Sequence, residues 1–189
     1  MSDIVRILGI SGSLRPNSLN SAALRAAQQL VPDGTTIEIY EGIGTFPYYD
    51  DELAANAFPP AVAEFKERIR AADGVLVVTP EYNHGIPGVL KNALDWGTRP
   101  VGDSAWAEKP FAMMGVATGQ NGTARAQVQL RAYATAMNLF MLPRPEVLIG
   151  NARGKFDADL NFTDEAGRQF MQQHLIAFSA WIRRLRPAQ

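Results

Sequence analysis

A polar stretch near the N-terminus, GSLRPNSLN at residues 12–20, carries the residue types that bind phosphate groups. Hydroxyls and amides offer neutral hydrogen-bonding groups, and the arginine offers a fixed positive charge with paired donors. A turn between a strand and a helix needs only a glycine and one cap, so this many polar groups indicates binding. The structural alternative is that Asn17 or Ser18 caps the helix while Arg15 is solvated. The candidate phosphate ligands are Ser11, Ser13, Arg15, Ser18 and Asn20.

Two further loops have compositions suited to a flat ligand. Residues 80–87, PEYNHGIP, place Glu81, Tyr82 and Asn83 between two prolines that stiffen the backbone. Residues 116–122, VATGQNG, are small and rich in glycine, which lets the backbone approach a ligand closely. A rigid loop with exposed backbone donors suits the edge of a planar heteroaromatic ring. A tight turn that places Tyr82 in the core is the structural alternative.

Each of these loops follows a predicted strand and precedes a predicted helix. Short runs rich in β-branched residues predict strands, and apolar residues spaced three and four apart predict helices. The segment 41–58, with its aromatic residues and prolines, is expected to be a long, irregular surface connection. The predicted strands are residues 4–10, 35–40, 74–79, 111–117 and 145–149, and the predicted helices are residues 18–30, 60–70, 88–96, 125–139 and 163–184.

The alternation of strands and helices predicts a single α/β domain over residues 1–189. Its five strands would form a doubly wound parallel sheet, covered by helices on both faces and joined by right-handed crossovers. In such sheets ligands bind beyond the carboxyl ends of the strands, where the strand order changes direction. All three polar loops leave carboxyl ends, so we expect them to meet at one edge of the sheet.

The composition argues against several other classes of protein. The chain has 18 basic and 19 acidic residues and a formal net charge of −1, which disfavours nucleic acid or an anionic membrane as the main partner. It has no cysteine and only two histidines, so we predict no metal site. The acidic cluster at residues 50–52 lacks the ligand spacing of a metal-binding loop.

The N-terminal segment, MSDIVRILGISGS, has neither the basic region nor the small-residue cleavage site of a signal peptide. We therefore interpret it as the first strand. The chain contains no apolar run of about 18 residues, the length that a membrane-spanning helix needs. We expect a soluble, cytoplasmic protein.

The combination of GSLRPNSLN at residues 12–20 with TPEYNHGIPGVLKNALDW at residues 79–96 resembles the NADPH-dependent FMN reductase family. This flavodoxin-like group includes bacterial chromate reductases and related quinone and azo reductases. In order and spacing the resemblance covers nearly the whole chain. It implies a five-stranded flavodoxin-like sheet of order 2-1-3-4-5 and a tightly but non-covalently bound FMN.

The resemblance also implies roles for individual residues. Those expected to hold the FMN phosphate are Ser13, Arg15, Ser18, Asn20 and the backbone of Leu19, and Ser11 and Leu14 are also expected to bind the cofactor. Those expected to line the isoalloxazine ring are Pro80, Glu81, Tyr82 and Asn83, and those expected to meet its pyrimidine side are Val116, Ala117 and Thr118. The chain departs from the family pattern at His84, where an aromatic residue is usual, and in the third loop, which lacks serines.

The chemistry implied by the family needs no catalytic side chain, because the flavin carries the hydride at its N5 atom. Hydride would pass from NADPH or NADH to FMN, and two electrons would then pass to a quinone, azo compound, chromate or free flavin. Backbone N–H groups of the third loop would stabilise charge on the reduced ring. His84 is a candidate contact for the nicotinamide or the acceptor, and Arg99 for the extra phosphate of NADPH.

The resemblance further implies a homodimer or homotetramer, with the helices at residues 87–96 and 125–139 as contact elements. An ion pair between Arg125 and Glu146 of two subunits is a hypothesis that follows from this arrangement. His174, which lies beside glutamines in the last helix, is expected at the surface.

Two alternatives to a reductase remain open from the sequence. One is a flavin-binding electron carrier or signalling module that does not oxidise NAD(P)H. The other is an α/β domain whose phosphate loop serves a different mononucleotide. The reductase is favoured because the motif at residues 79–96 goes beyond a generic phosphate loop.

Overall fold

The computed structural model describes residues 4–186, so residues 1–3 and 187–189 of the predicted domain lie outside the described residues. The strands are β1 (Val5–Ser11), β2 (Thr35–Tyr40), β3 (Gly74–Val78), β4 (Pro110–Val116), β5 (Phe140–Met141) and β6 (Val147–Ile149). The helices are α1 (Leu19–Leu30), α2 (Asp51–Asn56), α3 (Pro60–Ala71), α4 (Gly88–Gly97), α5 (Ala124–Met137) and α6 (Glu165–Leu185).

The strands form one parallel sheet of order β2-β1-β3-β4-β5, which confirms the predicted order. The fifth position is shared by two short strands. β5 pairs with the start of β4, where Met141 lies opposite Phe111, and β6 pairs with its end, where Ile149 lies opposite Val116. The sequence predicted only the second of these segments, because a two-residue strand carries no recognisable pattern.

Alternating side chains along the buried strands divide the core into two layers, one on each face of the sheet. On the first face α1 and α6 pack against side chains such as Leu76, and Phe178 of α6 is fully buried there. On the second face α3, α4 and α5 pack against side chains such as Val75 and Val77. Among the described residues, no helix is both long and apolar enough to cross a membrane.

The segment 41–58 is more ordered than predicted. It contains a 3₁₀ turn at Gly42–Thr45 and the short helix α2. Asp50 caps α2, because its carboxylate accepts a hydrogen bond from the N–H of Leu53 at 2.7 Å. The indole N–H of Trp96 donates to the carbonyl of Pro47 at 2.8 Å and ties this segment to α4. The prediction of a wholly irregular connection was therefore wrong.

Candidate functional site

Three loops leave the carboxyl ends of β1, β3 and β4 and lie side by side. The N–H of Gly12 donates to the carbonyl of Val78 at 2.8 Å, and the N–H of Thr79 donates to the carbonyl of Met114 at 3.0 Å. A Cβ atom at position 12 would lie 2.6 Å from the Oγ1 atom of Thr79, so glycine is required where the first loop passes β3. The three loops thus share one edge of the sheet, as the sequence predicts.

The serines of the first loop organise the loop itself. Ser18 caps α1, since its Oγ accepts hydrogen bonds from the N–H groups of Asn20 and Ser21 at 3.2 and 3.3 Å. The hydroxyl oxygens of Ser11 and Ser21 lie 2.8 Å apart and join the end of β1 to α1. The capping alternative is therefore right for Ser18, whose own hydroxyl proton remains available to a ligand.

Asn20 joins the first loop to the third. Its carboxamide forms one hydrogen bond with the backbone N–H of Val116 and another with the carbonyl of the same residue. Asn20 is buried, and both the nitrogen and the oxygen of its carboxamide are hydrogen-bonded. Asn20 therefore positions the two loops, and its contact with the phosphate stays a prediction, because a carboxamide has a second N–H.

The first loop still presents a set of donors that fits a phosphate group. Within the described part of the chain, the backbone N–H groups of Leu14, Asn17 and Leu19 donate to no other residue. Arg15 is exposed, and its guanidinium forms no ion pair with a described residue. The backbone N–H of Arg15 donates a hydrogen bond of 3.4 Å to the Oγ of Ser13. Converging N–H groups beside a guanidinium are the chemistry that binds a phosphate monoester.

The second loop is a tight hairpin whose tip is exposed. The N–H and carbonyl groups of Tyr82 and Gly85 form a reciprocal pair of hydrogen bonds of 2.9 and 3.0 Å. Asn83 and His84 between them have φ angles of 50° and 67°, which defines a type I′ turn. Tyr82 is 47% exposed, so the alternative that places it in the core was wrong.

Helix α5 holds this hairpin in place. The Oε2 atom of Glu81 accepts hydrogen bonds from the N–H groups of Arg125 and Ala126 at 2.9 and 3.1 Å and so caps α5. The side-chain oxygen of Gln129 accepts a hydrogen bond from the N–H of Ile86 at 2.7 Å. The carboxylate of Glu81 is thus directed at the helix and positions the loop, while its contact with the ring stays a prediction.

The third loop offers free backbone donors beside open space. The N–H of Ala117 is used, since it donates to the carbonyl of Ile149 at 2.9 Å. Among the described residues, the N–H groups of Thr118 and Gly119 donate to no other residue, and both residues are exposed. A Cβ atom at position 119 would meet nothing within 4 Å. These N–H groups fit the carbonyl-bearing edge of a planar ring.

Comparison with known proteins agrees with this geometry. The sequence profile of the family described as NADPH-dependent FMN reductase matches residues 5–154. The chain belongs to this family. The match confirms the predicted class of enzyme, an NAD(P)H-dependent flavin oxidoreductase with FMN as its cofactor.

Individual members of the family resemble the chain over nearly its whole length. An NAD(P)H-dependent FMN reductase of Pseudomonas aeruginosa is 48% identical over 186 residues, which cover 98% of this chain and 100% of the relative. A 2-hydroxy-1,4-benzoquinone reductase of a Burkholderia species is 38% identical over 179 residues, with 95% and 97% covered. The structure of FerB, a flavoenzyme NAD(P)H:(acceptor) oxidoreductase from Paracoccus denitrificans, superimposes with a TM-score of 0.87 at 37% identity and covers 96% of this chain and 98% of FerB.

Two of the residues singled out from the sequence have other partners in this FMN reductase. Arg99 donates a hydrogen bond of 2.6 Å from Nε to the hydroxyl of Tyr49, and its guanidinium lies over the ring of Tyr49. Within residues 4–186, the side chain of Arg99 forms no hydrogen bond or ion pair with the three loops. His174 is buried, so the prediction of a surface position was wrong. It lies on the apolar face of α6, and its Nδ1 atom is 2.7 Å from the carbonyl oxygen of Pro145. Burial lowers its pKa from 6.5 to about 4.

Arg125 and Glu146, for which an ion pair between two subunits stays a hypothesis, each have a partner in their own chain. Arg125 lies 3.6 Å from the carboxylate of Glu81 in its own chain. Glu146 pairs with Arg131 of its own chain at 3.1 Å. Both residues therefore have intramolecular partners, which the sequence alone did not indicate.

Sequence reasoning did not select three polar residues that lie beside the first loop. Ser21, Arg25 and Glu41 line a cavity together with residues of the first loop. The available signal was positional, because Arg25 follows Ser21 by one helical turn and Glu41 directly follows β2.

Proposed function

We propose that this chain is an FMN-containing NAD(P)H:quinone reductase, with a small planar quinone as its preferred acceptor. The observation that carries the proposal is that the first loop, an exposed hairpin and a donor-bearing glycine loop lie together at one sheet edge. Relatives whose names include quinone reductase and 2-hydroxy-1,4-benzoquinone reductase support the choice of acceptor.

In the proposed complex the first loop holds the phosphate of FMN. The guanidinium of Arg15, the hydroxyls of Ser13 and Ser18 and the unused N–H groups of Leu14 and Leu19 supply the donors. The charge of the phosphate is further stabilised by the N-terminal end of α1.

The other two loops position the ring of the cofactor. Pro80 and the backbone of the hairpin face one side, and the N–H groups of Thr118 and Gly119 donate to the pyrimidine side. These donors stabilise negative charge in that part of the ring. FMN itself supplies the chemistry when bound, by accepting hydride from the nicotinamide and passing two electrons to the acceptor.

The hairpin tip is the proposed wall of the acceptor site. Tyr82 and His84 are exposed, and the type I′ turn holds them on a backbone with little freedom. An aromatic and a hydrogen-bonding side chain suit a quinone, which has a flat ring and two carbonyl oxygens.

We also propose a cytoplasmic homodimer or homotetramer that uses α4 and α5 as contact elements. The exposed face of α5 supports this assignment, because it presents the uncharged residues Val128, Ala132 and Ala136 in successive turns. Light scattering on the purified protein measures the mass, and a monomer at all concentrations would contradict the assembly without affecting the proposed reaction.

The reaction is tested in two steps with the FMN-loaded protein. NADPH added without oxygen should bleach the visible absorbance of the flavin, and a benzoquinone added next should restore it. Steady-state rates are then compared for a benzoquinone, an azo dye, chromate and free FMN. We expect kcat/KM to be highest for the quinone. A protein whose flavin is not bleached by NADPH or NADH is an electron carrier instead, and equal rates with all acceptors would contradict the quinone assignment.

His84 offers a sharper test of the acceptor site. Replacing it with phenylalanine, the type of residue usual in the family, should change kcat/KM for the quinone while leaving the dissociation constant of FMN unchanged. Tyr48, an exposed aromatic residue in another segment, provides a control position, and Tyr48→Ala should alter neither quantity.

A further inference from the structure

A cavity of ≈ 330 Å³ lies on the β2 side of the first loop. Its walls come from the first loop, from α1 and from the carboxyl end of β2, and none of its lining residues belongs to β3 or β4 or to the loops after them. The volume is within the usual range for ligand sites. The lining residues are Ser11, Ser13, Leu14, Arg15, Pro16, Ser21, Leu24, Arg25, Ile39, Tyr40, Glu41 and Ile43.

The cavity contains two guanidinium groups without acidic partners. Arg15 lies in the loop and Arg25 on the exposed side of α1, and neither forms an ion pair with a described residue. The paired hydroxyls of Ser11 and Ser21 lie in the same wall, 2.8 Å apart. Since FMN in the proposed complex needs only Arg15, Arg25 remains available for a second phosphate monoester.

Glu41 provides a negative charge where the cavity meets the end of β2. It directly follows β2, and among the described residues it has no cationic partner. In nucleotide-binding βαβ units, an acidic residue at this end of the second strand accepts a hydrogen bond from a ribose hydroxyl. A carboxylate repels phosphate, so the arrangement suits a sugar near Glu41 and a phosphate near Arg25. The side chains of Leu14, which is exposed, and Ile39, which is half-buried, supply apolar surface for a base.

We propose that this cavity binds the adenosine end of NAD(P)H, with Arg25 at the 2′-phosphate of NADPH and Glu41 at a ribose hydroxyl. The proposal rests on the proposed function, which makes NAD(P)H the reductant. Strand order supports the geometry, because the ends of β2 and β4 are separated by three strand spacings, roughly 14 Å. A dinucleotide can therefore extend from the ring-side loops to this cavity, as dinucleotides do across other open α/β sheets.

The first test measures binding without turnover. Calorimetry on the FMN-loaded protein compares adenosine 2′,5′-bisphosphate with adenosine 5′-monophosphate. The wild type should bind the bisphosphate more tightly, and Arg25→Gln should weaken that binding about tenfold or more while changing the monophosphate little. Arg184, an exposed arginine of α6, provides the matched control, and Arg184→Gln should bind both probes like the wild type. Equal affinities for the two probes in every variant would overturn the proposal.

The second test uses steady-state rates with NADPH and NADH. Arg25→Gln should raise KM for NADPH about tenfold or more and leave KM for NADH nearly unchanged. Glu41→Gln should lower KM for NADPH relative to KM for NADH, because it removes a charge that repels the 2′-phosphate. Equal effects on both nucleotides would overturn the assignment.

Measurements of flavin binding distinguish the adenosine site from the alternative that Arg25 holds the phosphate of FMN. The dissociation constants of FMN and riboflavin are measured for Arg25→Gln, and both should match those of the wild type. Weaker binding of FMN alone would show that Arg25 holds the flavin phosphate and would overturn the dinucleotide assignment. If the wild type oxidises neither nucleotide, the proposed function fails. The calorimetric result then still shows whether the cavity binds the adenosine bisphosphate.

Discussion

The side chain of Asn20 forms two hydrogen bonds with the backbone of Val116, 96 residues away in the sequence. Its Nδ2 donates to the carbonyl of Val116 at 3.0 Å, and its Oδ1 accepts from the N–H of Val116 at 2.9 Å. The carboxamide thus continues the hydrogen bonding of β4 past the end of β3, while β6 pairs with β4 on its other side. It couples the position of the first loop to the position of the third loop.

Replacing Asn20 with alanine should destabilise the fold. Both backbone groups of Val116 would lose a buried partner, at about 1–3 kcal/mol each, so the free energy of unfolding should fall by about 2–6 kcal/mol. Urea unfolding measures the change as a lower midpoint at constant m-value. Asn17, exposed in the same loop, is the control, and Asn17→Ala should change stability by less than about 0.5 kcal/mol. Similar stabilities for the two variants would contradict the positioning role of Asn20.

Replacing Arg15 with alanine should weaken FMN binding about tenfold or more, because the phosphate loses a charged donor. Riboflavin, which has no phosphate, should bind the variant and the wild type equally. Quenching of flavin fluorescence measures both dissociation constants. An equal loss of affinity for the two flavins would mean that the substitution distorts the loop rather than removes a phosphate contact.

Replacing Glu81 with alanine should destabilise the start of α5. The N–H groups of Arg125 and Ala126 would lose their acceptor, and loss of a helix cap costs about 0.5–2 kcal/mol. Glu81→Gln keeps one acceptor oxygen, so its stability should lie between those of the wild type and the alanine variant. Amide hydrogen exchange locates the effect. Unchanged protection of these two amides in Glu81→Ala would rule out the cap.

The buried His174 should make the folded state less stable at low pH. Its pKa is 6.5 when solvated and about 4 in the fold, so between these values the unfolded chain binds more protons. The stability associated with its neutral form is fully present above pH 6.5 and is lost as pH falls towards 4. The total loss is about 3 kcal/mol, from about 1.4 kcal/mol for each pH unit.

The variant His174→Asn isolates this contribution, because carboxylates also titrate at low pH. Asparagine can donate to the carbonyl of Pro145 as the imidazole does, but it does not titrate. Unfolding free energies measured from pH 7 to pH 4 should decline less steeply in the variant than in the wild type. Parallel declines would show that His174 does not bind a proton on unfolding in this range.

Local patterns predicted the architecture and the neighbourhood of the site. The apolar run of β3 and the helical spacing in α1 are visible in short windows of sequence, as is the excess of polar residues in GSLRPNSLN. The order of the strands then follows from the resemblance to a known fold, and the carboxyl ends of parallel strands necessarily share an edge. The two-residue strand β5 and the short helix α2 were missed because neither has a full period of pattern.

The sequence by itself therefore determined the fold class, the type of cofactor and the three polar loops that share one edge of the sheet, since each depends on residue types within short segments. Only the tertiary structure decided what individual side chains do there. It gave Asn20 and Glu81 hydrogen-bond partners that position the loops, and it buried His174. The reason is physical, because the partner of a polar side chain is whichever group the fold brings within hydrogen-bond distance, and those groups belong to segments far away in the chain.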